Sequence, residues 1–132
     1  MGKRILVVDD SSIMRKMIRQ TLEGDQHSVV GEAKNGKDAV ELYRNFNPDV
    51  VTMDITMREM DGFAAAKEIL EIDPDARIIF LSNLDEEKYS QEAKRLGANG
   101  YVLTPFGPEE FIAAYEAVLR GETYYPALPD EA

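Results

Sequence analysis

No cysteine occurs in the 132 residues. The chain therefore has no disulfide, no zinc thiolate and no thiol nucleophile. Basic residues are scarce: 15 Lys and Arg stand against 25 Asp and Glu, for a formal net charge of −10. Nucleic acid and anionic membrane both call for clustered Lys and Arg, so neither is expected as a main partner. A cation, or a protein with a basic patch, fits better. Long apolar runs are missing as well. The N-terminal MGKRILVVDD holds only four apolar residues in a row after its basic pair, too few for a signal-peptide core, and nothing approaches a membrane span. The expectation is a soluble cytoplasmic protein. Histidine is reduced to His27, whose polar setting GDQHS predicts a solvated side chain without a role.

What is present suits one domain with one sizeable core, since 44% of the residues are apolar. Short apolar runs at 5–8, 29–30, 50–53, 78–81 and 101–103 alternate with segments of helical period. All but the second are nearly continuous, as expected of parallel strands buried on both faces. The helical stripes are Ile13, Met14, Met17, Ile18, Leu22; then Ala39, Val40, Tyr43, Phe46; then Phe63, Ala66, Ile69, Leu70; a weaker Tyr89, Ala93, Leu96; and Phe111, Ile112, Tyr115, Val118, Leu119. Asp61 and Asp85 suit helix N-caps, Pro108 a first helical turn, and Gly97 and Gly121 helix ends. Asn35-Gly36 reads as a turn with positive φ. The pattern is (βα) five times over, which predicts an α/β doubly wound parallel sheet over 1–122. The remaining 123–132 form a tail without periodicity.

In such sheets, ligands bind beyond the carboxyl ends of the strands. The first strand ends in Asp9-Asp10, the third in Asp54, the fourth in Ser82 and the fifth in Thr104. Three carboxylates on one edge raise one another's pKa unless a cation compensates, and a hard divalent ion with oxygen ligands, Mg²⁺, is the natural solution. A single strand-end Asp is as well explained as a helix cap; three together favour a site. A carboxylate beside a bound metal can act as nucleophile toward a phosphoryl group, with a hydroxyl such as Ser82 hydrogen-bonding the product.

The segments ILVVDDS (5–11), GEAKNGKDAVELY (31–43), VVTMDITMREMDGF (50–63), IIFLS (78–82) and GYVLTPF (100–106) resemble the receiver domain of two-component response regulators, above all the single-domain CheY-like chemotaxis type. The likeness covers roughly residues 3 to 122. It implies strand order 2-1-3-4-5 in a flavodoxin-like, CheY-like fold with five helices, an arrangement for which CheY is itself a standard example. It implies that Asp54 accepts the phosphoryl group from a sensor histidine kinase, a phosphotransfer protein or a small acyl phosphate. Asp10 would bind Mg²⁺ directly, Asp9 through water, and Thr56 through its backbone carbonyl. Ser82 would be the switch hydroxyl and Tyr101 the aromatic that follows it. Phosphorylation would remodel the face made by the fourth helix, fifth strand and fifth helix, where a downstream target docks, as a monomer or a phosphorylation-dependent dimer. The Thr104–Pro105 bond would be cis. The chemistry is that of a signalling module rather than a turnover enzyme.

Three positions depart from the family pattern. Thr104 stands where the family has Lys, Arg58 where it usually has Pro, and Asn83 where a small residue is usual. A charge-assisted hydrogen bond is worth about 1.5–3 kcal/mol, against about 5.5 kcal/mol to throw a two-state switch. Loss of the lysine thus weakens switching without abolishing the chemistry. Arg58, four residues past Asp54, is a candidate compensating cation or a solvated loop residue, and Asn83 a candidate gate on the attacking water. The rival reading is an atypical pseudo-receiver that binds protein partners with little dependence on phosphorylation.

Overall fold

The computed structural model describes residues 2–126. Five strands, β1 (Arg4–Val8), β2 (Ser28–Ala33), β3 (Val50–Met53), β4 (Ile78–Ser82) and β5 (Gly100–Leu103), alternate with five helices, α1 (Ser12–Gly24), α2 (Gly36–Phe46), α3 (Gly62–Ile72), α4 (Glu87–Leu96) and α5 (Pro108–Leu119). All neighbouring strands pair in parallel, and the order is β2-β1-β3-β4-β5. The (βα)₅ pattern and the expected order both hold. No described helix is long and apolar enough to cross a membrane.

The pleat sends alternate side chains to opposite faces, which explains the continuous apolar runs. Leu6, Val8, Val51, Met53, Ile78, Phe80 and Tyr101 meet α2, α3 and α4 through Ala39, Tyr43, Ala65, Ile69 and Ala93. On the other face Ile5, Val7, Val50, Ile79, Leu81 and Val102 meet α1 and α5 through Ile18, Leu22, Phe111, Tyr115 and Val118. The second strand lacks such a run because it is an edge with a bulge: Ile5 pairs Val29 and Leu6 pairs Gly31, which leaves Val30 unpaired.

Several local expectations change. Ile13 is 80% exposed and Met17 42%, so only Met14, Ile18 and Leu22 of the α1 stripe face the core. Asn35 is extended and caps α2, accepting from the Asp38 N–H at 2.8 Å, and Gly36 has no positive φ. The glycine is needed for a different reason, since a Cβ there would lie 2.3 Å from the Met60 carbonyl oxygen. Glu86, not Asp85, is the residue before α4, and it makes no side-chain cap. Asp61 does cap α3, and Gly97 and Gly121 take the left-handed conformation at helix ends.

His27 is not a solvated turn residue. Its Nδ1 accepts the Lys3 N–H at 3.1 Å, its Nε2 lies 3.2 Å from Asp25, and its ring packs edge-on to Tyr115 with centroids 4.7 Å apart. It stitches the start of the sheet to α5. The segment after 122, without periodicity in sequence, begins by pairing with the sheet: Tyr124 forms a parallel bridge with Gly100 at the outer edge of β5. The rest of that segment, 127–132, lies outside the described residues.

Candidate phosphoacceptor site

Strand ends β1, β3, β4 and β5 bring their polar residues to one edge. Asp9 is 5% exposed and its carboxylate accepts the Ser11 N–H at 2.9 Å, while Ser11 caps α1 through Met14 N–H. The Asp9 carbonyl is in turn held by the Arg15 guanidinium at 2.7 Å. Asp10 points to solvent, and Asp54 is half-buried, with one carboxylate oxygen accepting its neighbour Ile55's N–H at 2.8 Å. Carboxylate oxygens of Asp9, Asp10 and Asp54 all lie within 4.8 Å of one another. This is the one cluster of possible metal ligands among the described residues.

Such crowding has an electrostatic signature. Burial, then repulsion from Asp9, pushes the Asp54 carboxyl up from 3.8 to about 7, despite the Ile55 N–H that favours its anion. Burial also raises Asp9, and the Asp10 charge adds to it. Uncompensated carboxylates repel; a divalent cation with oxygen preference removes the repulsion. The donor set, all carboxylate with open coordination space toward solvent at Asp10, fits a hard ion of that kind.

The loop from Asp54 to Asp61 is pinned at both ends. A Cβ on Gly62 would sit 2.0 Å from the Asp54 carbonyl oxygen, and the Gly62 N–H donates to Ile55 at 2.8 Å. At the far end, the Gly36 N–H donates to the Met60 carbonyl at 3.0 Å. Between these ends, the Met60 N–H donates to the Arg58 carbonyl at 2.8 Å around Glu59, whose φ is +66°. That is a tight γ-type turn in a region costly to non-glycine residues. Thr56 and Arg58 are exposed in this loop.

Arg58 lines a cleft of about 400 Å³ with Asp10, Lys34, Asn35 and Glu59. The cleft opens on the β2 side of the carboxylates, whereas Thr104 follows β5 on the other side of the sheet order. Arg58 therefore stands beside the acid pair rather than beside Thr104. Lys34 was missed by sequence reasoning, which examined the ends of the other four strands and passed over β2. It directly follows Ala33, so reading that strand's end would have found it.

On the β4–β5 side, buried Ser82 accepts the Leu84 N–H at 3.1 Å, and the Thr104 N–H donates to the Ser82 carbonyl at 2.9 Å. Tyr101 is 1% exposed and its hydroxyl donates to the Leu84 carbonyl at 2.5 Å. Burial raises the Tyr101 phenol, and the Tyr101 and Ser82 hydroxyls meet through the Leu84 backbone. The hydroxyl pair and the loop after β4 thus form one connected unit. Asn83 is exposed at its rim, and Thr104–Pro105 is cis.

The family profile for the response regulator receiver domain matches residues 5–116. The chain belongs to the response regulator receiver family. Among curated relatives, the chemotaxis protein CheY of Thermotoga maritima is 45% identical over 120 residues, spanning 91% of this chain and all of that protein. CheY of Bacillus subtilis is 44% identical over the same shares. Of solved receiver structures, a LuxR-family two-component response regulator from an Aurantimonas species matches with a TM-score of 0.90 at 34% identity, covering 98% of this chain and 92% of that one. A CheX–CheY–BeF₃–Mg complex from Borrelia burgdorferi matches at 0.86 and 31% identity, covering 88% of each chain. This receiver is therefore a two-component signalling module of CheY type with the flavodoxin-like fold.

Proposed function

We propose that this receiver accepts a phosphoryl group on Asp54 in the presence of Mg²⁺ and thereby switches the face formed by α4, β5 and α5. The observation that carries the reading is the carboxylate triad with Asp54 at its half-buried end. One Asp54 oxygen is tied to Ile55 N–H, which leaves the other free to attack. It forms the new O–P bond as the bond from phosphorus to the donor atom breaks, and the donor leaves with the electron pair. Mg²⁺ would supply charge neutralisation for the transferring oxygens, held by Asp10, by Asp54, by the Thr56 carbonyl and, through water, by Asp9. The Asp9 carboxylate, fixed by Ser11 N–H, is oriented for that work before any ion arrives. Ser82 would turn its hydroxyl to the phosphoryl oxygens, and Tyr101, which shares its surroundings, would follow.

A protein donor, a phosphorylated His of a sensor kinase or phosphotransfer protein, has to land at this rim, and Ile13 in the first turn of α1 offers it an exposed apolar contact. Such a donor places the receiver in the cytoplasm. No ammonium stands at position 104, so the phosphorylated state is held less firmly than a lysine there would hold it. Arg58 adds positive charge from the Asp10 side, and Asn83 restricts the water that ends the signal. Incubation with Mg²⁺ and a small acyl phosphate tests the reading: wild type gains the mass of one phosphoryl group and Asp54→Asn does not. Thr104 favours a second reading, a pseudo-receiver that engages partners constitutively. Equal labelling of neither protein would select it.

A further inference from the structure

β5 closes one side of the sheet order, and its outer edge would present unpaired N–H and C=O groups. The chain itself covers that edge. It leaves α5 through a Schellman turn, with Glu122 N–H donating to Ala117 and Gly121 N–H to Val118, both at 3.0 Å, and Gly121 at φ +87°. That turn aims the next residues back along β5. Tyr124 N–H donates to the Asn99 carbonyl at 2.9 Å, and the Tyr124 carbonyl accepts the Tyr101 N–H at 2.8 Å, a parallel ladder one residue long.

The two rings straddle the edge. Tyr124 packs with the α1–α5 side of the core and its hydroxyl donates to Glu110 at 3.2 Å. Tyr125 packs with the opposite side, its hydroxyl donates to the Ala98 carbonyl, and the Lys94 ammonium lies 4.9 Å from its ring centroid. This is strand addition with alternate side chains in separate pockets, the pattern by which sheet edges recognise extended peptides.

We propose that the β5 edge is a docking strand for an extended partner segment bearing two adjacent aromatics, and that Thr123–Tyr125 occupy it as an internal competitor. The inference rests on the α4–β5–α5 face being the one that switches. It gives that face a definite mode of recognition, main-chain pairing at Asn99 and Tyr101 with an aromatic on each side. It also explains how the switch reaches the edge. Tyr101 is held by Leu84 through its hydroxyl and by Tyr124 through its amide, so a change in the loop after Ser82 pulls on the residue that anchors the strap.

The test uses the full chain carrying Tyr124→Pro and Tyr125→Ala, which removes the N–H that pairs with Asn99 and the ring under Lys94. The probe is a labelled peptide of residues 121–126, GETYYP, followed by anisotropy and by amide shifts at Asn99–Val102. The peptide should bind the double variant at least tenfold more tightly than wild type, and a peptide with both tyrosines changed to alanine should not bind. Hydrogen exchange at the Tyr101 amide should be at least tenfold faster in the variant and slowed again by peptide. Equal binding to both chains, or binding to neither up to millimolar peptide while the variant keeps its native circular dichroism, overturns the proposal. If the double variant does not fold, Tyr125→Ala alone decides: unchanged exchange at Tyr101 overturns it, and several-fold faster exchange supports it. Peptide binding is measured without Mg²⁺ or phosphodonor, and acyl phosphate labelling is run on the same samples. Normal labelling of Asp54 without peptide binding sinks the strap alone, and peptide binding without labelling sinks the phosphoacceptor alone.

Discussion

Replacing Asp54 by Asn should stabilise the metal-free protein, and by an amount that depends on pH. The Asp54 carboxyl sits at about 7 in the folded chain against an ordinary 3.8. A folded-state value above the unfolded one means that the native state binds the proton more tightly. Its ionisation therefore costs stability, fully above pH 7, and the cost fades as pH falls from 7 toward 4. The gap between 3.8 and about 7 corresponds to about 4 kcal/mol as a ceiling, and screening around a half-buried side chain reduces this to about 2 kcal/mol. Asn keeps the oxygen that accepts from Ile55 N–H and replaces the repelled oxygen with a donor facing Asp9 and Asp10. In EDTA at pH 8, urea unfolding should show Asp54→Asn more stable by about 2 kcal/mol, or about 7 °C in thermal midpoint for a chain of this size. The difference should fall to about half at pH 4.5 and approach zero only below the ordinary carboxyl value of 3.8. Saturating Mg²⁺ should raise the wild type and narrow the gap at pH 8. A stability difference that stays constant from pH 4.5 to 8, or a wild type indifferent to Mg²⁺, would refute the account of a charge-strained site.

Other substitutions probe separate parts of the same edge. Thr52 in β3 is 1% exposed and its hydroxyl has no hydrogen-bond partner among the described residues, so Thr52→Val should gain about 1 kcal/mol in urea unfolding and leave acyl phosphate labelling unchanged. Gly62→Ala would force a Cβ to 2.0 Å from the Asp54 carbonyl; a loss of about 3 kcal/mol or more in unfolding free energy and a sharp fall in labelling rate are expected. Thr104→Lys should restore a charge-assisted contact and tighten binding of beryllofluoride with Mg²⁺ by about tenfold to a hundredfold, read by tyrosine fluorescence. Arg58→Ala should slow labelling by small acyl phosphates a few-fold without changing the unfolding midpoint; an unchanged rate would leave Arg58 a solvated loop residue.

Much of the fold was legible because parallel strands buried on both faces must be apolar throughout. Val50–Met53 and Ile78–Leu81 therefore announced themselves, and β2, an edge with Val30 bulged, showed only the short run at 29–30. The carboxylate triad was equally legible, since the pair Asp9-Asp10 follows β1, Asp54 follows β3, and strand ends converge. Contacts that need tertiary approach were hidden. Gly36 looks like a turn residue, yet its purpose lies in the Met60 carbonyl that comes from another loop. Ile13 carries the period of a core stripe, yet it is left in solvent while Met14 beside it turns to the core. His27 sits among polar neighbours in sequence, and only the fold supplies Tyr115 as the wall against which it packs. Tyr124 and Tyr125 follow a helix-ending glycine with no periodicity left to read, so their pairing with β5 carried no sequence signal beyond the aromatic pair itself.

The glycine contacts at 36 and 62 divide the loop after Asp54 into fixed ends and a free middle. Change at either end meets a backbone oxygen about 2 Å away and is selected against through folding. Change at Thr56, Arg58 or Glu59 meets solvent and is filtered only by its effect on the chemistry next door. Descendants of this receiver can therefore vary the middle of that loop, one exposed residue at a time, while the scaffold around it stays the same.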